Sequence, residues 1–139
     1  MVVPAANEAG IRGFEDVAGG DATYVACVET APCGAIWATI AEEQGVTAPA
    51  ASLEVDVKAV LAKVTEDEAD AGFVYATDAV AAGDAVETFD VPGAADHEAV
   101  YTIAPLDQAR DAALAQEFVD LVLSSTGQGV LADAGFGAP

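Results

Sequence analysis

Short apolar runs alternate along the chain with stretches in which apolar residues recur every three to four positions, so strands and helices are predicted in turn. After a polar opening that includes Pro4, Asn7 and Gly10, the run TYVACV from Thr23 to Val28 follows Gly19, Gly20 and Asp21 and reads as a buried strand. Thr30, Pro32 and Gly34 then mark a tight turn into AIWATIAEEQ, a helical stretch stopped by Gly45. The unit repeats. ASLEV, from Ala51 to Val55, predicts a second strand, and Asp56 stands where an N-cap accepts a backbone N–H. Val57, Val60, Leu61 and Val64 then form one apolar helix face with Lys58 and Lys63 off it. An acidic loop, TEDEAD, leads to a third strand at Ala71 to Tyr75, a short helix capped by Thr77 or Asp78 and ending near Gly83, and a fourth strand at Val86 to Val91. Beyond PGAADHEA, the run VYTIAP from Val100 to Pro105 predicts a further strand. The helix after Asp107 carries Leu114, Phe118, Leu121 and Val122 on one face, and a last helix runs from near Ser124 to Gly135.

Strands alternating with helices predict an α/β fold, a parallel-rich sheet flanked by helices over about Ala5 to Pro92, because parallel neighbours need a crossover. In such sheets ligands collect at the carboxyl ends of strands, where helix N-termini present unpaired N–H groups. Two turns of this kind are readable, Ala31-Pro32-Cys33-Gly34 and Asp56-Val57-Lys58. Each offers amide donors to an anion, but most strand-to-helix turns bind only water or a cap, so the spacing alone selects no ligand.

Charge narrows the partners. Four Lys and Arg against 24 Asp and Glu give a formal charge of −20, which repels nucleic-acid phosphates and anionic lipids. No calcium-loop pattern is present, so the acidity reads as a solvated surface and no direct cation site is expected. The apolar runs fall short of the ~20 residues that a spanning helix needs, so direct membrane insertion is not expected. The opening MVVPAANEAG has neither the basic nor the apolar region of an export signal. Cys27 and Cys33 enclose five residues, which fits neither C-x-x-C nor a zinc knuckle. They read as a local disulfide or as two buried thiols. A cysteine at a helix N-terminus meets one condition for a nucleophile, so a thiol enzyme using Cys33 stands as the weaker alternative; His97, the only histidine, lies far away in the chain. No enzyme activity and no cofactor are expected.

The stretches APCGA, EVDVKAVLAKV, EADAGFVYATDAV and VLSSTGQGVLADAGFGAP occur in the order and near the spacings of the molybdate-binding receptors of ABC transporters, and the chain resembles that family from VVPAANEAGI to its end. The resemblance implies a type II periplasmic binding protein, two lobes that clamp a molybdate or tungstate oxyanion between them and deliver it to a membrane permease. Carried over residue by residue, it implies contacts from the backbone N–H of Cys33, the backbone N–H of Val57 and the hydroxyl of Tyr75. It implies a periplasmic or other extracytoplasmic location for the full-length protein. Cys33 departs from the small residue, often alanine, that the family has there, a change a backbone contact tolerates. The family's first lobe opens with a strand and Ser-bearing turns that have no counterpart here. Residues 1–95 are therefore expected to be the second, ligand-binding lobe and residues 96–139 a return segment of the first lobe, with the N-terminal part of that lobe absent. A fragment or interaction module without its own ligand, self-associating through the incomplete lobe, is the other alternative.

Overall fold

Five short strands form one mixed sheet in the order β3-β2-β4-β1-β5: β1 Val2–Pro4, β2 Tyr24–Cys27, β3 Ser52–Glu54, β4 Ala71–Gly72 and β5 Val86–Thr88. This is a computed structural model that describes residues 1–138; Pro139, at the end of the expected return segment, lies outside the described residues. β2 runs parallel to both β3 and β4, and β1 lies antiparallel between β4 and β5. The connections carry α1 Phe14–Ala18, α2 Pro32–Glu43, α3 Val57–Thr65 and α4 Ala76–Ala82. The expected α/β sheet flanked by helices is thus present, parallel over β3, β2 and β4 and mixed where β1 inserts, with each of its expected strands shorter than the sequence pattern suggested.

Alternation along each strand sends side chains to two faces. Val2, Val25 and Cys27 meet Val60 and Val64 of α3 on one face, while Val3, Tyr24 and Ala26 meet Phe14 and Val17 of α1 and Trp37 and Ile40 of α2 on the other. On the second face Trp37 stacks on Phe73 at a centroid distance of 3.4 Å, and the edges of Phe14 and Tyr24 close around the pair. The Tyr24 hydroxyl donates to the Ala48 carbonyl at 2.9 Å, which removes the cost of burying it. On the first face α3 lies so close to β4 that a Cβ on Gly72 would stand 2.8 Å from Val64 Cγ2 and 2.9 Å from Val60 Cγ1.

Several expectations are corrected. The polar opening contains β1, whose Val2 and Val3 are 1% and 0% exposed. Two consecutive valines in the sheet interior bury one side chain on each face, a pattern too short to stand out from the sequence. The cap of α4 is Tyr75 rather than Thr77 or Asp78. Val100 to Pro105 forms no strand: it is exposed, and among the described residues no strand pairs with it, so an apolar run has no reason to extend into one.

The chain divides into two units, Met1–Glu98 and Ala99–Pro139. The second unit contains α5 Ala112–Leu123 and α6 Ser125–Asp133, capped by the Asp111 and Ser124 side chains. Helix α5 thus starts a few residues beyond Asp107, after its cap Asp111, whereas α6 begins next to Ser124 as expected. Gly135, at φ 90°, follows α6 in the left-handed conformation that ends a helix. Leu114, Phe118 and Leu121 of α5 are exposed and line an open groove with Arg110. Among the described residues no helix is long and apolar enough to cross a membrane.

Two substitutions test these contacts. Gly72→Ala must push α3 away from β4 and is expected to cost roughly 1–3 kcal/mol of stability in urea unfolding. Asp56→Ala removes the acceptor of the Ala59 N–H, and a loss of about 1 kcal/mol is expected in the same assay.

Candidate functional site

Parallel pairing puts the carboxyl ends of β2, β3 and β4 on one edge of the sheet, so α2, α3 and α4 all begin there. Each of the three expected residues sits in one of these turns. Cys33 is the second residue of α2, Val57 the first of α3, and Tyr75 the residue that opens α4. All three are partly buried. Because β3, β2 and β4 are neighbours in the sheet, the three turns lie side by side. Backbone bonds from Val28 N–H to the Glu54 carbonyl at 2.8 Å and from Phe73 N–H to the Val25 carbonyl at 3.3 Å extend the pairing toward that edge.

The first turn of a helix leaves amides without intrahelical acceptors. In α3 the Asp56 carboxylate accepts from Ala59 N–H at 2.9 Å, which leaves the amides of Val57 and Lys58 with no protein acceptor among the described residues. In α2 the cap position is Ala31, extended at φ −88° and ψ 148°, and no side chain caps the helix. Pro32 fills the first position with a residue that has no N–H to satisfy. The amides of Cys33 and Gly34 therefore have no protein acceptor among the described residues. At α4 the Asp78 carboxylate reaches back to accept from Tyr75 N–H at 3.2 Å, which fixes the backbone from which the Tyr75 side chain departs.

The turn before α2 is the most tightly built of the three. Cys27, at the end of β2, is bonded to Cys33 with the Cα atoms 5.8 Å apart, so the local disulfide is present. A Cβ on Gly34 would lie 1.9 Å from the Val28 carbonyl oxygen and 2.7 Å from that of Cys27. Only glycine lets the helix start press directly on the end of the strand. The bond also removes the free thiol that a cysteine nucleophile requires. The sole histidine is remote from it: His97 Nε2 lies 2.7 Å from Glu43 Oε2, at the far end of α2 and about ten residues of helix, ~15 Å, from Cys33.

Two contributors escaped the sequence reading. Asp78 was read as a possible cap, yet its carboxylate serves the residue three places earlier; the capping-box spacing is present, but a tyrosine in the first place hides it. Gly34 looked like an ordinary turn glycine, and nothing in the sequence signals the carbonyl that it faces.

A family model for bacterial extracellular solute-binding proteins matches residues 1–137. Molybdate-binding proteins ModA of Mycobacterium bovis and Mycobacterium tuberculosis are 35% identical over 139 residues, which is 100% of this chain and 53% of theirs. The chain therefore spans about half the length of these curated relatives. A solved structure described as the substrate binding domain of a molybdenum ABC transporter from Clostridium difficile superposes with a TM-score of 0.73 at 21% identity, over 99% of this chain and 62% of that one. At that identity the likeness concerns the fold, and it agrees with the strand and helix arrangement described above. The chain belongs to the bacterial extracellular solute-binding protein family.

Proposed function

We propose that the chain is the ligand-binding lobe, with a return segment of the other lobe, of a receptor that captures molybdate or tungstate for an ABC-transporter permease outside the cytoplasm. The observation that carries this reading is the convergence on one sheet edge of strand-to-helix turns whose first amides lack protein acceptors, in a chain 35% identical to proteins named for molybdate binding. Cys33 N–H, Val57 N–H and the Tyr75 hydroxyl are the proposed donors. Neutral donors and helix dipoles stabilise a tetrahedral dianion without a proton transfer or a counter-ion, which suits capture and release rather than catalysis. The −20 charge of the chain acts on the rate of encounter, while these short-range dipoles govern affinity.

Residues 1–95 are proposed as the second lobe and residues 96–139 as the return segment, with the N-terminal part of the first lobe outside this chain. The division of the chain after Glu98 supports this, as does the exposed apolar face of α5, a surface suited to packing against further elements of a lobe. That same face favours one second reading, an interaction module that self-associates and holds no ligand of its own.

Thermal shift separates the two. Stabilisation by a ligand follows RT ln(1 + [L]/Kd), so millimolar molybdate or tungstate should raise the melting temperature more than sulfate at matched ionic strength. The shift should be small for residues 1–139, whose open half-site stays wet. It should be larger for a protein extended at the N-terminus to the length of the relatives, because a closed cleft strengthens each charge-assisted bond. Equal shifts with molybdate, tungstate and sulfate in the extended protein would overturn the ligand assignment. In that protein Tyr75→Phe is expected to weaken molybdate binding by roughly 1–3 kcal/mol with the fold intact; unchanged affinity would return Tyr75 to a packing role.

A further inference from the structure

The helices of nine residues or more begin in two different ways. α3, α5 and α6 each begin with a side chain, from Asp56, Asp111 and Ser124, that accepts the N–H of the third helical residue. α2 has no such cap. Its first turn is held instead by the bond from Cys33 to Cys27, by Ala31 N–H donating to the Val28 carbonyl at 2.9 Å, and by Ala35 N–H donating to the Ala31 carbonyl at 3.0 Å. In α2 the third helical residue is Gly34, so a capping side chain at position 31 would consume the Gly34 amide. A covalent bridge orders the same turn and consumes no donor.

We infer that the Cys27–Cys33 disulfide replaces the N-cap of α2, positioning the Cys33 and Gly34 amides while leaving both open to an anion, and that it makes anion binding depend on redox state. This rests on the proposed oxyanion site and deepens it. Cys27 is 3% exposed inside the core, whereas Cys33 is partly exposed, so the Cys33 sulfur is the accessible end of the bond. A dithiol reductant attacks there as a thiolate and forms a mixed disulfide, and Cys27 leaves as thiolate and takes up a proton. The second thiol of the reductant, losing its proton, then displaces Cys33, which also ends as a thiol. The protein gains two electrons and two protons, and the dithiol becomes a cyclic disulfide. The pairing of β2 with β3 and β4, Cys27 opposite Glu54 included, is made by backbone groups and not by the sulfur. Reduction therefore frees the first turn of α2 and leaves the sheet in place.

The test uses the full-length protein, oxidised and after reduction by a dithiol, with amide hydrogen exchange and molybdate titration on both. Exchange at Ala31 and Ala35 should rise roughly tenfold on reduction, while Gln44 N–H, bonded to the Ile40 carbonyl at the other end of α2, stays unchanged. Molybdate affinity should fall by about tenfold, a drop that loss of one or two well-placed charge-assisted bonds would produce. C27A/C33A should reproduce both effects without a reductant. Adding A31D to that pair supplies the missing cap: exchange at Ala35 should return toward the oxidised value while affinity stays low, because the new carboxylate occupies the Gly34 amide and repels the anion. A merely structural bridge would let the cap restore both, and that result overturns the inference. Unchanged exchange at Ala31 and Ala35 on reduction overturns it as well. If the oxidised protein binds no molybdate, the proposed ligand fails on its own account, the redox control of binding falls with it, and exchange still decides whether the bridge acts as the cap.

Discussion

Parallel neighbours cannot be joined by a tight hairpin, so a chain that pairs β2 with both β3 and β4 in parallel must return each time across a face of the sheet. Those returns are α2 and α3, and each new helix starts where the preceding strand ended. The common edge that collects the starts of α2, α3 and α4 is a consequence of this pairing rather than a separate design. Burial follows from it too. With helices on both faces, alternate residues of β2 face different partners, and Tyr24 and Ala26 join the aromatic cluster while Val25 and Cys27 meet the aliphatic face of α3.

The same geometry reconciles an acidic chain with the proposed anionic ligand. Asp56 and Asp78 lie at the edge in question, but each carboxylate is engaged by a backbone amide of its own helix start. The Asp56 carboxylate stabilises the N-terminus of α3 by its charge as well as by the hydrogen bond. α2 carries no acid in its first turn and no side-chain cap, so its dipole is uncompensated by the protein. Local partial charges, held rigidly by Gly34 and the disulfide, act at a range where the net charge of the molecule is screened.

How much of this was legible varies with how local each signal is. Asp56 followed by the stripe Val57, Val60, Leu61 and Val64 announces α3 completely, because cap and apolar face both belong to the helix itself. β2 and the start of α2 were equally plain from TYVACV and Pro32, and the five-residue spacing of Cys27 and Cys33 left a disulfide and two buried thiols both open. β1 was missed because two valines and a proline make a strand only when β4 and β5 lie on either side. VYTIAP failed in the opposite sense, having strand composition and no partner. The turns at Ala31 to Gly34 and Asp56 to Lys58 could be marked as sources of amide donors from position alone, while the choice of Cys33 and Val57 within them came from family resemblance. Tyr75 came only from family resemblance, since a tyrosine at the end of an apolar run carries no sign of whether it packs or binds.

The antiparallel insertion of β1 has a bearing on how the chain reaches this state. Val2 pairs with Gly72 and with Thr88, so β1 must find partners 70 and 86 positions further along the chain. Until β4 and β5 are in place, Val2 and Val3 have nowhere to be buried, and β1 has no link to β2 and β3. Contacts of such long sequence separation carry a large loop-closure cost, so completion of the sheet is a late and slow event in folding. A chain cut short of residue 71 holds local helices and the β2–β3 pair but neither neighbour of β1.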